Sequence, residues 1–452
     1  MTSSTTSVSI HAVNTPTQWA GGMLRFTAVA MACLLTACAN VQLPVWNGTS
    51  AAPAVRTAPQ PSTPAPSPAV SQPIAASKQL TPLPYNPAIE ARFPDPSVRY
   101  ETPGLTEGRQ QFTTQAEMTG LLQSLTSKAA SGQRMELATI GTSQRGLPIL
   151  ALIATQGQST QATALNSNGK PTVLLVGQQH GDEPASAEAL LAIARELGQG
   201  GLLSPLLQQI NIIIVPRANP DGAQTSSQLT ADGTDLARDH LILSTPEAQA
   251  LAKLTRNYRP VALLDLREYA AAGPFLQKFQ AVQRYDLLLQ PASTANNHEF
   301  VIKAAREWFA EPMRNALNQS DITNDWYYEA SAQPADRSLS MASTDADSLI
   351  NANSLKNTAS LMIASRGSDL GRLHIQRRVH SLVTAANSAL RSAAAKAKNL
   401  NQVESFVTRD IASQACRGTV TIQTQQTPEQ RTISMLQADS GQELQARVDW
   451  NS

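Results

Sequence analysis

The chain has 452 residues but only three cysteines. That number is too small and too scattered for a disulfide framework, so the fold must be held by its core. Charge of one sign is also lacking. Thirty-five Lys and Arg offset 34 Asp and Glu, for a formal net charge of +1. No basic stripe runs along the chain, which argues against nucleic acid as a partner. Its N-terminal apolar stretch is shorter than the ~20 residues a bilayer-spanning helix needs. No GxSxG elbow or other serine-hydrolase signature is present.

What is present begins near the N-terminus. Residues 23 to 38 read MLRFTAVAMACLLTAC: one cation at Arg25, an apolar stretch, then small residues before a cysteine. This is the pattern of a secretory signal. Leu35-Thr36-Ala37-Cys38 resembles the bacterial lipobox, in which the cysteine becomes the lipidated first residue of the mature protein. The alternative is a soluble secreted protein cut nearby. Residues 1 to 22 read as neither signal nor fold, and the start is Met1 or Met23. Cys33 would leave with the signal, Cys38 would carry the lipid, and Cys416 would remain alone.

Residues 51 to 90 hold ten of the 28 prolines, interleaved with Ala, Ser, Thr and Gln. Such a segment buries no core and stays extended, reaching up to about 120 Å at ~3.1 Å per residue. The expected organisation is a signal with lipobox over 1–38 and a disordered linker over 39–90. A main domain follows over 91–400, with a small β-rich appendage over 401–452. The membrane is touched through the lipid alone. Ala39-Asn40 offers no aspartate next to Cys38 that would resemble an inner-membrane retention signal, so the expected site is the outer membrane, facing the periplasm.

Thr114 and Glu117 form a capping box ahead of a helix. MELATIGTSQRGLPILALIA alternates, turns between Gly141 and Gly146, and alternates again, as a two-stranded hairpin does. VLLVG (173–177) is continuously apolar, as in a strand covered on both faces; INIIIVP (210–216) reads as another buried strand, and VALLDL (261–266) and SLMIA (360–364) complete the set. Pro184 suits the first turn of a helix running to about Gly198. HIQRRVHSLVTAANSALRSAAAKAKNL reads as one long helix. The pattern predicts an α/β fold with a mixed, mostly parallel central sheet and helices on both faces. TVTIQTQ and RTISMLQ, around Thr427-Pro428, predict a small C-terminal hairpin.

In open α/β sheets ligands bind at the carboxyl ends of strands. His180 follows the end of VLLVG, and Glu183 opens the next helix. Both residue types are zinc ligands, and a catalytic zinc takes three protein ligands and one water. INIIIVP is followed by Asn219-Pro220-Asp221-Gly222, a turn sequence. GTDLARDH (233–240) then places Arg238 in a loop. In that order, the hairpin IGTSQRGLPI, HxxE, NPDG and GTDLARDH resemble the zinc carboxypeptidases of the carboxypeptidase A type, over roughly residues 110 to 400. The resemblance implies the carboxypeptidase fold, removal of C-terminal residues from peptides, and zinc as cofactor. His180 and Glu183 match the first two zinc ligands. Arg238 matches the arginine that holds the substrate's terminal carboxylate, for which its planar fork is suited.

The resemblance fails at the remaining positions. The third ligand would be a histidine ending the strand ALLDL, but Asp265-Leu266-Arg267 puts an arginine there. The general-base glutamate would end SLMI, and the residue is Ala364. Ala237 stands where an asparagine is expected. Gln228 falls near the position of an arginine that polarises the scissile carbonyl. Loss of a general base alone costs roughly 10²–10⁴-fold in rate. A unit charge about 4 Å from Zn²⁺ is repelled by ~8 kcal/mol at an effective dielectric near 20. Asp265 and Arg267 lie two apart on a strand and share a face. The guanidinium is therefore expected to pair with Glu183 and Asp265, or else to turn to solvent. Asp239 and His240, beside Arg238, are substitute ligand candidates. His298 is expected to face solvent, and Arg366, Arg372, Arg377 and Arg378 to cover a helix surface or else to bind an anion.

Three readings follow. One is a carboxypeptidase-fold lipoprotein, a monomer, with activity lost or impaired, that still binds peptide C-termini or cell-wall peptides. Another is an active zinc enzyme with a substitute ligand and base. The third is a non-enzymatic envelope scaffold. The lipobox can be checked directly. Cys38→Ser should shift the protein from the membrane fraction to the soluble one; a variant that sediments with membranes as the parent does would rule out Cys38 as the anchor.

Overall fold

Buried strands dominate the centre of the molecule because their residues are apolar on both faces. The computed structural model describes residues 5–8 and 86–451, apart from 199, 332, 334, 415, 416, 418 and 426. Cys38, nearly all of the linker and Cys416 lie outside the described residues. Among the described residues, helical structure is present before 91, from Pro87. Asn86 caps the short helix Pro87–Glu90, accepting from the Ala88 N–H at 2.8 Å, with Pro87 in the first turn. That turn inserts the fully buried Ile89 beside Phe93, Leu370 and Leu436.

The strands, in chain order, are β1 (Thr5–Val8), β2 (Arg134–Thr142), β3 (Pro148–Thr155), β4 (Thr172–Gly177), β5 (Asn211–Val215), β6 (Ala262–Tyr269), β7 (Ala281–Gln283), β8 (Leu287–Pro291), β9 (Asn324–Trp326), β10 (Glu329–Ala330), β11 (Leu339–Ser340), β12 (Ala359–Arg366), β13 (Val420–Thr424), β14 (Pro428–Gln437) and β15 (Glu443–Asn451). Eight of them form the central sheet in the order β2-β3-β5-β4-β6-β12-β8-β9. The middle pairs β5/β4, β4/β6 and β6/β12 are parallel, as is β8/β9; β2/β3, β3/β5 and β12/β8 are antiparallel. The predicted mixed, mostly parallel sheet is what forms.

Each central strand serves two cores, because side chains alternate across a sheet. Val173, Leu175, Ile212, Ile214, Leu264 and Leu266 point into the first, under the helices Pro184–Leu197 and Ile375–Ala395. Leu174, Val176, Ile213, Val215 and Leu263 point into the second, under the helix Pro246–Tyr258. The small residues of Pro184–Leu197 (five alanines and Ser186) let this helix lie close on the sheet, and all but two of its residues are buried.

The C-terminal region departs from expectation in two ways. First, the long helix breaks at Lys396 (φ −104°, ψ 14°) into Ile375–Ala395 and Ala397–Ser413. The expected boundary at 400 thus falls inside a helix. No glycine or proline marks the break, so the sequence carried no signal for it. Second, the hairpin is β14/β15, which turns at Gly441 (φ 68°), and not TVTIQTQ with RTISMLQ. Pro428 merely opens β14, a position a proline tolerates. β14 and β15 join β7, β10 and β11 in a second sheet of five strands. β13 pairs with β1, so residues 1 to 22, which read as structureless, supply a strand. Among the described residues, no helix is long and apolar enough to cross a membrane.

The two-core reading has a direct check. Leu175 is fully buried in the central strand. Leu175→Ala should cost about 2–5 kcal/mol, measured by urea denaturation. A loss below about 1 kcal/mol would mean the strand is not the centre of the first core.

Candidate functional site: a cation-filled cleft at the strand ends

β6 positions the site by its parity. Leu264 and Leu266 point into the first core, so Asp265 and Arg267 point to the opposite face, as Leu263 does. Past the end of the second core that face opens into a cleft of about 490 Å³. Ala364 of β12 stands opposite Arg267 in the parallel register and lines the same cleft. β4 ends at Gly177, Gln178 turns the chain with φ 49°, and His180 to Glu183 lead into the helix Pro184–Leu197. Glu183 occupies the N-cap position yet makes no capping bond, because its carboxylate turns to the cleft.

Gly181 explains how this loop is held. A Cβ there would lie 2.0 Å from the Gly222 carbonyl carbon, so only glycine lets the two backbones touch. The NPDG turn fixes both neighbours. Asn219 accepts from the Gly222 N–H at 2.9 Å and donates through Nδ2 to the Gln179 carbonyl at 3.1 Å. Asp221 accepts from Ser143 Oγ at 2.8 Å and the Arg145 N–H at 2.9 Å, which ties down the β2–β3 turn.

At the centre, Arg267 lies against both His180 and Glu183. Its Nε donates to Glu183 Oε2 at 2.8 Å, and its Nη2 donates to Glu183 Oε1 at 3.1 Å and to His180 Nδ1 at 2.7 Å. Nη1 is 3.8 Å from Asp265 Oδ2. The expected pairing with Glu183 therefore forms, Asp265 stands by, and the guanidinium is not in solvent. His180 Nε2 meets Asp235 Oδ1 at 2.8 Å. His180 Nδ1 also lies 2.9 Å from Glu183 Oε1.

Protonation follows from these contacts. Burial alone would raise the Glu183 pKa, but the Arg267 guanidinium overcomes it and holds it at about 2. Asp265 is fully enclosed, and burial pushes it up to about 6 although Arg267 and a 2.8 Å bond from Gln179 Nε2 oppose this. For His180, burial and Arg267 resist protonation, while Glu183 and Asp235 favour it and raise the pKa. The 2.7 Å approach of an arginine N–H nevertheless requires a lone pair on Nδ1. We assign the imidazole as neutral, with Nε2–H donating to Asp235. Nδ1 and Oε1 are then two acceptors in contact, and the shared Nη2–H donor makes that contact tolerable.

This donor set does not fit a zinc ion. Two protein ligands converge where a catalytic site uses three, and an obligate cation already bridges them. Among the described residues, no group of three or more His, Cys, Asp or Glu could hold a metal. The substitute candidates do not converge either. Asp239 caps the helix Pro246–Tyr258 region, accepting from Ser244 and Thr245, and His240 is buried against Gln179 Oε1 at 2.6 Å, its pKa lowered to about 3 by burial.

Arg238 lines the cleft with its side chain 45% exposed and a single long contact, 3.4 Å to Asp347. Gln228 and Ala237 line it too. His298 is a correction: it caps the helix Glu299–Lys303 and bonds Asp410 at 3.0 Å, with only 9% of its side chain exposed. Arg378 is another. It is buried and clamps Glu268, whose other oxygen accepts from the Ala185 N–H at 2.9 Å at the start of the helix behind the site. Arg377 pairs with Asp286 at 2.6 Å. Sequence reasoning missed Asp235, Tyr327 and Glu329. Asp235 could have been found, since it shares a short loop with Arg238. Tyr327 and Glu329 follow no motif.

A zinc carboxypeptidase family model matches residues 121–241, which hold His180, Glu183, the NPDG turn and Arg238. A probable carboxypeptidase 2 of Trichophyton verrucosum is 28% identical over 247 residues, covering 54% of this chain and 47% of its own. Carboxypeptidase 2 of Trichophyton rubrum is 26% identical over 310 residues, covering 68% of this chain and 56% of its own. The chain thus spans about half the length of these relatives. A metallo-carboxypeptidase structure from Burkholderia cenocepacia aligns with TM-score 0.43 and 16% identity, over 60% of this chain and 67% of that one. The match to the zinc carboxypeptidase family thus runs through the segment that carries HxxE, NPDG and Arg238. Arg267 and Ala364 lie beyond the matched segment.

The ion pair can be weighed. Removing one partner of a buried pair strands the other. Arg267→Met should cost about 3–5 kcal/mol in urea unfolding, and adding Glu183→Met should recover most of it. A neutral single substitution would mean that Arg267 does not hold Glu183.

Proposed function

We propose that this protein binds peptide C-termini in the cell envelope and has lost zinc-dependent cleavage. The observation that carries the reading is the Arg267 guanidinium bonded to both His180 Nδ1 and Glu183. Two further features support it. The base position is Ala364, which has no titratable group, and its neighbours Leu288 and Tyr328 are buried. Arg238, by contrast, keeps most of its fork free for a carboxylate. Lipid attachment at Cys38 would hold the cleft near the outer membrane, where cell-wall peptides are the accessible ligands.

Three measurements test this. Purified protein should hold much less than one zinc per chain after dialysis; stoichiometric zinc would overturn the reading. A peptide with a free terminal carboxylate should bind roughly 10- to 100-fold more tightly than its amide, the contribution of a charge-assisted hydrogen bond. Equal affinities, or no binding, would favour a scaffold without a working cleft. Finally, Arg267→His should raise zinc affinity with little hydrolysis, Ala364→Glu alone should give none, and only the double variant should release C-terminal residues. A folded double variant that binds no more zinc than the parent would show that His180, Glu183 and position 267 do not form a metal site.

A further inference from the structure

β13 lies outside both of the larger sheets. Its sequence, VTIQT, holds no charged residue and no proline, so it carries neither of the residue types that usually blunt a sheet edge. One of its edges is closed by a side chain. Asn296 Nδ2 donates to the Thr421 carbonyl at 2.9 Å, and the Thr421 N–H donates to Asn296 Oδ1 at 2.8 Å. A single amide thus takes the place of a neighbouring strand. Backbone groups of successive residues in an antiparallel strand point to opposite edges. Those of Val420 and Ile422 therefore face the other edge.

That edge is taken by β1, antiparallel, with Val8 opposite Val420 and Thr5 opposite Thr424. β1 reads TTSV and is likewise uncharged. Among the described residues the two strands form a sheet of their own, and an isolated two-stranded pair is at best marginally stable. Val420 and Ile422 stay 60% and 75% exposed. β1 also precedes the signal read over residues 23 to 38. Cleavage before Cys38 removes it, and a start at Met23 never makes it. On either account the exported chain carries β13 with one edge open.

We propose that this open edge pairs with β13 of a second copy about a two-fold axis. β1 defines what the edge accepts: an antiparallel, uncharged strand of β-branched and hydroxyl residues. β13 itself meets that description. An antiparallel register centred on Ile422 sets this residue against its own copy and Val420 against Thr424, with no charge opposed to a charge. Such a two-fold contact uses the same patch on both copies, and it brings the exposed Ile422 side chains together across the strands. Five residues per copy make a small interface, so the contact is of the weak, transient kind. Confinement of lipid-anchored chains to one surface raises their effective concentration and compensates. The arrangement departs from the monomer expected from the sequence. None of the cleft-lining residues belongs to β13, so the interface shares with the terminus-binding reading only the premise of export.

Sedimentation equilibrium on residues 39–452 tests this. Among the described residues that chain lacks only β1, which joins no strand but β13. The protein should be monomeric at about 10 µM and shift towards dimer as it approaches about 1 mM. Ile422→Pro removes a backbone donor from the open edge and should hold the monomer throughout. A synthetic peptide of residues 2–11 should return the parent dimer to monomer, because it fills the edge as β1 does. A parent that stays monomeric at about 1 mM overturns the inference. So does a dimer that persists in Ile422→Pro, or one that saturating peptide leaves intact. If Ile422→Pro does not fold, the peptide competition still decides. Terminus binding is read separately, from the carboxylate-to-amide ratio, and the anchor from the fractionation of Cys38→Ser, so either can fail without the dimer failing.

Discussion

Two acceptors in contact require a cation between them, and the site is organised around that requirement. His180 Nδ1 and Glu183 Oε1 are 2.9 Å apart, and with the imidazole assigned as neutral and protonated at Nε2, neither carries a proton for the other. A dication would satisfy both lone pairs. Here the Arg267 guanidinium does so, with three donated bonds and a charge that no accessible pH removes. The guanidinium thus supplies positive charge to the surrounding loops at this point, and no Lewis acidity.

Those loops are retained in detail. Gly181 touches Gly222, Asn219 bonds Gln179, and Asp221 holds the β2–β3 turn. Behind them, Glu268 joins β6 to the start of Pro184–Leu197 and to Arg378. Each contact is buried, so its loss would cost stability whether or not any reaction took place. Packing alone can thus hold this frame together, whatever occupies its centre.

Much of this was legible in the sequence. VLLVG and INIIIVP announced doubly covered strands because their residues are apolar with the single exception of Asn211, and turn chemistry marked NPDG. The parity of Asp265 and Arg267 followed from the period of two along a strand. What stayed hidden lacked local punctuation. Lys396 ends a helix without glycine or proline, and Pro428 imitated a turn while opening a strand. Glu268 and Arg378 are 110 residues apart, and only the fold brings them together. Arg378 read as a surface residue for that reason. Tyr327 follows the three-residue β9 and Glu329 opens β10, a strand of two residues, and no periodicity can reveal elements that short.

The contact between Gly181 and Gly222 also has a mechanical consequence. Two backbones that meet with no side chain between them cannot slide independently, so the HxxE loop, the NPDG turn and the β2–β3 turn behave as one stiff wall. Across the cleft, Glu329 sits on a two-residue ladder between β10 and β11, held by far fewer bonds. Any change in the shape of the cleft is therefore easier on that side than on the other.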